Sequence, residues 1–208
     1  MAASDVLLTG ATGFLGKVVL HELIQRRESL GVGKIRVLLR TSGSVTAEKR
    51  FEVDIASSPC FGDLDPDWRD MVEPVACELS QPGAGIEPDK REALTATVTH
   101  IINCAASVQF DLPIQRAANA NVATALEILD FAKSCPNLVS LVNVSTAYVT
   151  PHPKDGKDVL EELAPLPYDA RELYEAIQRG EIDETELLAE TGHPNTYTLT
   201  KCIAEHLL

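Results

Sequence analysis

Residues 5–16 read DVLLTGATGFLG, and this stretch decides the fold because it joins a strand, a glycine-rich turn and the start of a helix. Its apolar first half predicts a buried strand, and helical spacing of apolar residues begins after the second glycine. In such a unit Gly10 would permit a tight turn, Gly13 would let the main chain approach a pyrophosphate, and Gly16 would allow close packing between helix and strand. The free N–H groups at the start of the helix would then face the phosphates. The stretch therefore predicts a dinucleotide-binding turn rather than an ordinary one.

Outward from this turn, the chain alternates short β-rich runs with longer helical patterns, which indicates a parallel sheet covered by helices. The remaining strands are predicted at residues 34–40, 73–79, 98–105 and 138–146. Helices are predicted at residues 14–27, 112–133, 171–179, 184–190 and 195–208. The predicted fold class is α/β, a doubly wound parallel sheet (Rossmann fold), and we expect one NAD(P)-binding domain over residues 1–208.

Composition and charge exclude several classes of protein. The chain has 208 residues, of which 45% are hydrophobic and 24% charged, the balance of a globular protein. A net charge of −13 argues against nucleic acid as a partner. We expect no membrane segment, because no long uncharged apolar stretch occurs, and no secretory signal, because no basic region precedes the first strand. The five cysteines are scattered without Cys-x-x-Cys spacing, so we expect no metal site and a reducing compartment, cytoplasmic or organelle-associated.

Residues 151–193 differ in character from the rest of the chain. They contain twelve acidic and four basic residues, and therefore carry −8 of the net charge of −13. Prolines at or near the ends of this segment break regular structure, namely Pro151, Pro153, Pro165, Pro167 and Pro194. We interpret the segment as an insertion over the carboxyl edge of the sheet rather than a linker.

The residues after the second predicted strand bear on which nicotinamide cofactor binds. An acidic residue there would bind the ribose 2′-hydroxyl of NAD, but the sequence reads Leu39-Arg40-Thr41-Ser42, without a carboxylate. Because a guanidinium suits a 2′-phosphate, Arg40 favours NADPH. The alternative is that Arg40 is a solvated charge at the end of a strand.

Three further motifs carry groups suited to chemistry. Residues 143–149 (NVSTAYV) end the fifth predicted strand with hydroxyl groups, at the edge where open α/β sheets bind ligands. In residues 194–201 (PNTYTLTK), Lys201 lies one helical turn after Tyr197, on the same face. Residues 104–111 (CAASVQFD) follow the fourth strand with small side chains that would let a cofactor pass close by.

Together with TGATGFLG at residues 9–16, these motifs resemble the extended short-chain dehydrogenase/reductases. More narrowly, the chain is similar to the fatty acyl-coenzyme A reductases and the related thioester reductase domains. The resemblance covers residues 5–208 and rests on four motifs in order. It implies further strands, the loop covering the nicotinamide and much of the substrate pocket after residue 208, so that the sheet is truncated here before its last strands.

The resemblance also implies roles for individual residues. Tyr197 would be the general acid that protonates a carbonyl oxygen, and Lys201 would stabilise its phenolate and hold the nicotinamide ribose. Thr146 would orient the carbonyl, with Ser145 as the neighbouring alternative. Where many relatives carry an aspartate near the adenine, this sequence has Glu78, and Asn121 could equally make a structural bond on a helix face. The implied cofactor-binding residues are Thr9, Gly10, Thr12, Gly13, Phe14, Leu15, Gly16, Arg40, Glu78, Leu79, Cys104, Ala105, Ala106, Asn121 and Lys201.

The activity that the resemblance implies is NADPH-dependent reduction of a fatty acyl thioester to an aldehyde or a primary alcohol. The acyl carrier would be coenzyme A or an acyl carrier protein, and it should either avoid the acidic segment at 151–193 or meet basic residues after residue 208. Two alternatives stay open: a sugar-nucleotide epimerase or dehydratase on the same scaffold, and a truncated, non-catalytic cofactor-binding module.

Overall fold

The computed structural model of this chain describes residues 4–41, 44–151 and 158–208. Its internal contacts divide the chain into two compact units. The first unit contains residues 1–105 and 127–144, and the second contains residues 106–126 and 145–208. Ser42 and Pro153, singled out above, lie outside the described residues. The expectation of one domain over the whole chain stays a prediction.

The first unit is built on a parallel sheet. Its strands are β1 (Ser4–Thr9), β2 (Val32–Arg40), β3 (Val72–Cys77), β4 (His100–Asn103) and β5 (Ser140–Asn143). They pair in parallel in the order β3-β2-β1-β4-β5. The order reverses between β1 and β4, which is where open α/β sheets bind ligands. The prediction of an α/β, Rossmann-type fold is confirmed, although β4 and β5 are shorter than the sequence predicts.

Both faces of this sheet are buried, as the alternating side chains of β1 show. Leu7 packs in one apolar cluster with Ile101 of β4, and Leu8 packs in a second cluster with Val37 of β2. All four side chains are fully buried. Each contributes about 1.5–3 kcal/mol relative to an exposed position. Burial on both faces is typical of parallel sheets and explains why these strands read as continuous apolar runs.

The helices of the first unit are α1 (Phe14–Gln25), α2 (Arg27–Leu30), α3 (Ala47–Arg50) and α4 (Pro88–Thr97). Shorter π and 3-10 turns lie at Phe51–Ala56, Pro59–Phe61, Pro66–Met71 and Pro82–Gly85. The helix predicted at 14–27 is interrupted at Arg26, whose main chain leaves the helical region. The sequence did not predict α4, since Leu94 is its only buried residue and the helix has no apolar stripe to detect.

The second unit is mainly helical. Helix α5 (Ile114–Ala118) and the π-helical segment Asn119–Ala123 precede α6 (Thr124–Lys133), which crosses from this unit into the first. The single helix predicted at 112–133 is therefore divided by a π segment, a feature common at functional sites. After the 3-10 turn Ala147–Val149 come α7 (Ala170–Arg179), α8 (Glu184–Thr191) and α9 (Thr196–Leu207), close to their predicted bounds.

Helix α9 forms the centre of the second unit. Leu199 and Ile203 on α9 pack in one apolar cluster with Ile114 of α5 and Ile177 of α7. Asn195 caps α9, because its side-chain oxygen accepts a hydrogen bond from the Thr198 N–H. No helix within the described ranges is both long and apolar enough to cross a membrane. The placement of segment 151–193 over the edge of the sheet stays a prediction.

Candidate active site

Gly10 occupies the first position of the glycine-rich turn, directly after β1. Its φ of +71° lies in the left-handed region, which favours glycine. A Cβ on Gly10 would lie 2.6 Å from the carbonyl carbon of Cys104 and 2.8 Å from the nitrogen of Ala105. Because both are main-chain atoms, they cannot move aside as a flexible side chain would. Gly10 is therefore required by conformation and by space, as predicted for a tight turn.

Gly16 has a different neighbour from the expected one. A Cβ on Gly16 would collide with the carbonyl group of Gly10 and lie 2.8 Å from the Cα of Ala11. The close approach is thus between α1 and the turn itself, not between α1 and a strand. This corrects the role assigned to Gly16, and the physical reason is that α1 begins directly over the turn.

Gly13 leaves the turn open at the start of α1. It is the N-cap of α1, has an ordinary φ of −80° and makes no side-chain cap. A Cβ there would meet only the Gly10 oxygen, at 3.3 Å. The N–H groups of the first helical turn have no acceptor within the helix, and Phe14 and Leu15 beside them are exposed. With Thr12 half-buried next to them, these groups form a cradle that fits a pyrophosphate.

The hydroxyl group of Thr9 is used within the protein. It donates a hydrogen bond to Asn103 Oδ1 at 2.5 Å and accepts one from the Ala105 N–H at 3.0 Å. Asn103 in turn donates to Asn143 Oδ1 at 2.7 Å. Thr9 is fully buried. Its side chain therefore links β1 to β4, Asn103 links β4 to β5, and the fully buried Thr9 has no exposed surface left for a ligand.

Two arginines lie together at the end of β2. Arg40 is exposed, and the Arg50 guanidinium donates a hydrogen bond to its carbonyl oxygen at 2.7 Å. Arg50 also pairs with Asp54 at 2.9 Å. Burial raises the pKa of the nearby Cys77 thiol to about 12, Glu78 adds to the rise, and both guanidinium groups oppose it. Sequence reasoning missed Arg50 because it lies ten residues after Arg40, in a segment without a predicted element.

The residues after β3 are held by local contacts. The Glu78 N–H donates to the Ala84 oxygen at 2.9 Å, and the Glu78 carboxylate accepts a hydrogen bond from Ser80 at 3.0 Å. Leu79 is buried in the apolar cluster of the first unit. Consequently the Leu79 side chain belongs to the core, and the half-buried Glu78 is the residue of the pair whose side chain could contact a cofactor.

The predicted catalytic residues all lie in the second unit. Tyr197 and Lys201 are one turn apart on α9, where Tyr197 is half-buried and Lys201 is only 3% exposed. Helix α9 packs against the turn Ala147–Val149, which Thr146 caps. The Thr146 oxygen accepts a hydrogen bond from the Tyr148 N–H at 3.3 Å. That bond uses an oxygen lone pair, so the Thr146 hydroxyl hydrogen can be donated to a substrate.

Ser145 carries a buried hydroxyl oxygen without a hydrogen-bond partner among the described residues. Buried polar atoms in native proteins nearly always have a partner, and for this hydroxyl either a water molecule or a bound carbonyl group would serve. Ser145 therefore stays next to Thr146 as a candidate for contact with a carbonyl oxygen.

Asn121 lies in the π segment and is 3% exposed. Its side-chain oxygen accepts a hydrogen bond from the Ser107 N–H at 2.8 Å, and its amide donates to Thr200 Oγ1 at 3.0 Å. The side chain therefore ties the loop after β4 to α9. This is the structural bond that the sequence left open as the alternative to cofactor contact. Ala106, beside Ser107, is exposed.

Phe110 contacts the predicted general acid, although the sequence assigned it no role. Its ring centroid lies 5.4 Å from that of Tyr197, with the planes tilted by 43°. Phe110 is itself 60% exposed. An exposed phenylalanine packed on this tyrosine restricts the orientation of its phenol. The only sequence signal was its place in the motif at 104–111.

Comparison with known proteins shows the family of this chain. A family model described as "Male sterility protein" matches residues 8–208. Fatty acyl-CoA reductase wat of Drosophila melanogaster is 32% identical over 206 residues, which are 98% of this chain and 39% of that protein. Fatty acyl-CoA reductase 1 of Mus musculus is 32% identical over 210 residues, which are 98% of this chain and 40% of that protein. The crystal structure of the terminal R domain from the myxalamid PKS-NRPS biosynthetic pathway matches with a TM-score of 0.74 and 25% identity, over 100% of this chain and 45% of that one.

The fold and the glycine-rich turn define an NAD(P)-binding domain of the extended short-chain dehydrogenase/reductase type. Within that class, the chain belongs to the male sterility protein family. It spans about two fifths of the length of the curated relatives that it matches.

Proposed function

We propose that this chain carries the cofactor-binding and catalytic residues for reduction of a fatty acyl thioester by NADPH. The relatives named fatty acyl-CoA reductases support coenzyme A as the acyl carrier. The observation that carries the proposal is the set of Tyr197, Lys201 and Thr146, three groups of the second unit suited to protonating and orienting a carbonyl oxygen.

The chemistry divides between the cofactor and the protein. NADPH, when bound, supplies a hydride to the thioester carbonyl carbon. Tyr197 donates its phenolic proton to the developing oxyanion, and the Thr146 hydroxyl donates a hydrogen bond to the same oxygen. Lys201, as a cation one turn from Tyr197, favours the phenolate that remains. Collapse of the resulting hemithioacetal breaks the carbon–sulfur bond and releases the thiol, leaving an aldehyde that a second reduction would convert to the primary alcohol.

We further propose that NADPH is preferred over NADH. Arg40 and Arg50 place two guanidinium groups at the end of β2, where the ribose of a bound dinucleotide lies in Rossmann folds. No carboxylate follows β2 directly in the sequence. A charge-assisted hydrogen bond to phosphate is worth about 1.5–3 kcal/mol, or roughly tenfold to a hundredfold in affinity.

Turnover tests the reaction. In the natural protein that carries this chain, consumption of NADPH with hexadecanoyl coenzyme A should yield the aldehyde or alcohol. Tyr197→Phe should lower kcat by about a hundredfold or more, as for loss of a general acid, with little change in NADPH affinity. Tyr168→Phe is the matched control, because Tyr168 instead bonds to Glu190. Undiminished turnover in Tyr197→Phe, or activity on nucleotide sugars alone, would reject the proposal.

Calorimetry tests the cofactor preference. NADPH should bind the 208-residue chain more tightly than NADH. Arg40→Ala and Arg50→Ala should each reduce the difference, whereas Arg26→Ala should not, because Arg26 lies at the carboxyl end of α1 and not at the end of β2. Equal affinity of the unmutated chain for the two dinucleotides would contradict the proposed preference for NADPH.

A further inference from the structure

An open cleft of about 610 Å³ lies in the second unit beside Thr146. Apolar side chains form one wall, among them Val159, Leu160 and Leu163. These three are 59%, 63% and 53% exposed, although each would gain by burial. Glutamates also line the cleft, including Glu162 and, from α9, Glu205. Clustered exposed apolar side chains around a groove mark a binding site rather than scattered surface.

The apolar wall is held in place by α9. Ala164 follows Leu163 and is 3% exposed. Its carbonyl oxygen accepts a hydrogen bond from His206 Nε2 at 2.8 Å. This contact fixes the end of the wall to the helix that carries Tyr197 and Lys201. The wall is therefore anchored to α9 at Ala164.

We propose that this cleft receives the hydrocarbon tail of the acyl thioester, while the carrier stays outside it. The inference rests on the proposed reduction, because Thr146 lines the cleft and would bind the carbonyl from which the tail extends. The glutamates oppose entry of the phosphates of coenzyme A, since like charges brought together cost several kcal/mol. A neutral hydrocarbon meets no such repulsion. Leu160 and Leu163 then determine which chain lengths fit.

Chain-length selectivity is the direct test. Leu163→Trp should fill part of the cleft and lower the ratio of kcat/KM for hexadecanoyl over octanoyl coenzyme A by about tenfold or more. This magnitude follows because each methylene group that is excluded from the cleft lowers the affinity about fourfold. Leu30→Trp is the control, since Leu30 is also 53% exposed but lies on α2 in the first unit. Leu160→Trp should repeat the change in ratio. Equal losses for both substrates, or an unchanged ratio in both cleft variants, would overturn the proposal.

A binding measurement separates this proposal from the reaction. A fluorescent hexadecanol analogue, which carries no charge, should bind the natural protein and lose affinity about tenfold in Leu163→Trp but not in Leu30→Trp. If the probe binds as expected but the protein shows no reductase activity, the proposed function fails and the cleft assignment stands. If the enzyme reduces hexadecanoyl coenzyme A but the probe binds both variants equally, the cleft assignment fails and the function stands.

Discussion

Replacing Gly10 by alanine tests the geometry of the cofactor turn. Two costs combine at this position. The left-handed φ of +71° costs about 1–2 kcal/mol for a residue with a Cβ. The new Cβ would lie 2.6–2.8 Å from main-chain atoms of Cys104 and Ala105, an overpacking that costs about 1–3 kcal/mol. Together they predict a loss of about 2–5 kcal/mol in the free energy of unfolding.

Gly31→Ala separates the two costs. Gly31 also has a left-handed φ, +64°, but a Cβ there would have nothing within 4 Å. The Gly31→Ala variant should therefore have only the conformational cost, a loss of about 1–2 kcal/mol in the free energy of unfolding. The difference between the two variants, about 1–3 kcal/mol, measures how tightly the chain after β4 packs against the turn.

Tryptophan fluorescence during urea unfolding reports on the first unit alone. Trp68 is the only tryptophan of the chain, is 2% exposed, and packs on Phe61 with ring centroids 5.0 Å apart. It lies in the same apolar cluster as Leu8 of β1 and Ala11 of the turn. If Gly10→Ala and Gly31→Ala shift the unfolding midpoint equally, the close approach described here is absent and the reasoning about the turn is refuted.

Further outcomes follow from the same contacts. Gly13→Val should leave the circular dichroism spectrum unchanged but abolish NADPH binding in calorimetry; a folded variant that binds normally would show that the phosphates lie elsewhere. Asn121→Ala should leave the Ser107 N–H without its acceptor and cost about 1–3 kcal/mol in urea unfolding followed by circular dichroism, whereas an unchanged midpoint would mean that the bond contributes nothing. Phe110→Ala should lower kcat about twofold to tenfold at constant NADPH affinity, since an aromatic pair is worth about 0.5–1.5 kcal/mol, and unchanged kcat would show that Tyr197 needs no support from this ring.

The sheet could be predicted from the sequence because a parallel sheet buried on both faces produces apolar runs. Leu7 and Leu8 point to opposite faces and are both fully buried, so β1 reads as continuously apolar. Helix α4 gave no such signal, because a helix that buries only Leu94 looks like a polar loop. The break at Arg26 and the π segment at Asn119–Ala123 likewise leave no mark in the spacing of apolar residues.

The sequence could predict those candidate site residues whose arrangement depends only on their spacing along one helix. The spacing of Tyr197 and Lys201 places them on one face of any helix, and α9 is that helix. Arg50 and Phe110 could not be found in this way. Each contacts its partner through a chain reversal, Arg50 ten residues after Arg40 and Phe110 across to α9, and such contacts depend on tertiary packing.

Polar side chains near a predicted ligand site also have structural roles, as Thr9 and Asn121 show. The resemblance assigned both to the cofactor, with a structural bond left open for Asn121, and the side chain of each makes two hydrogen bonds inside its own unit. A buried hydroxyl or amide must find partners, and the strand ends and loops around a ligand site provide them. Such bonds hold in place the groups that remain free to bind. In the first unit these are the main-chain N–H groups after Gly13, and in the second the hydroxyl hydrogen of Thr146. The residues that position the site therefore contribute to the proposed reduction by holding those groups in place.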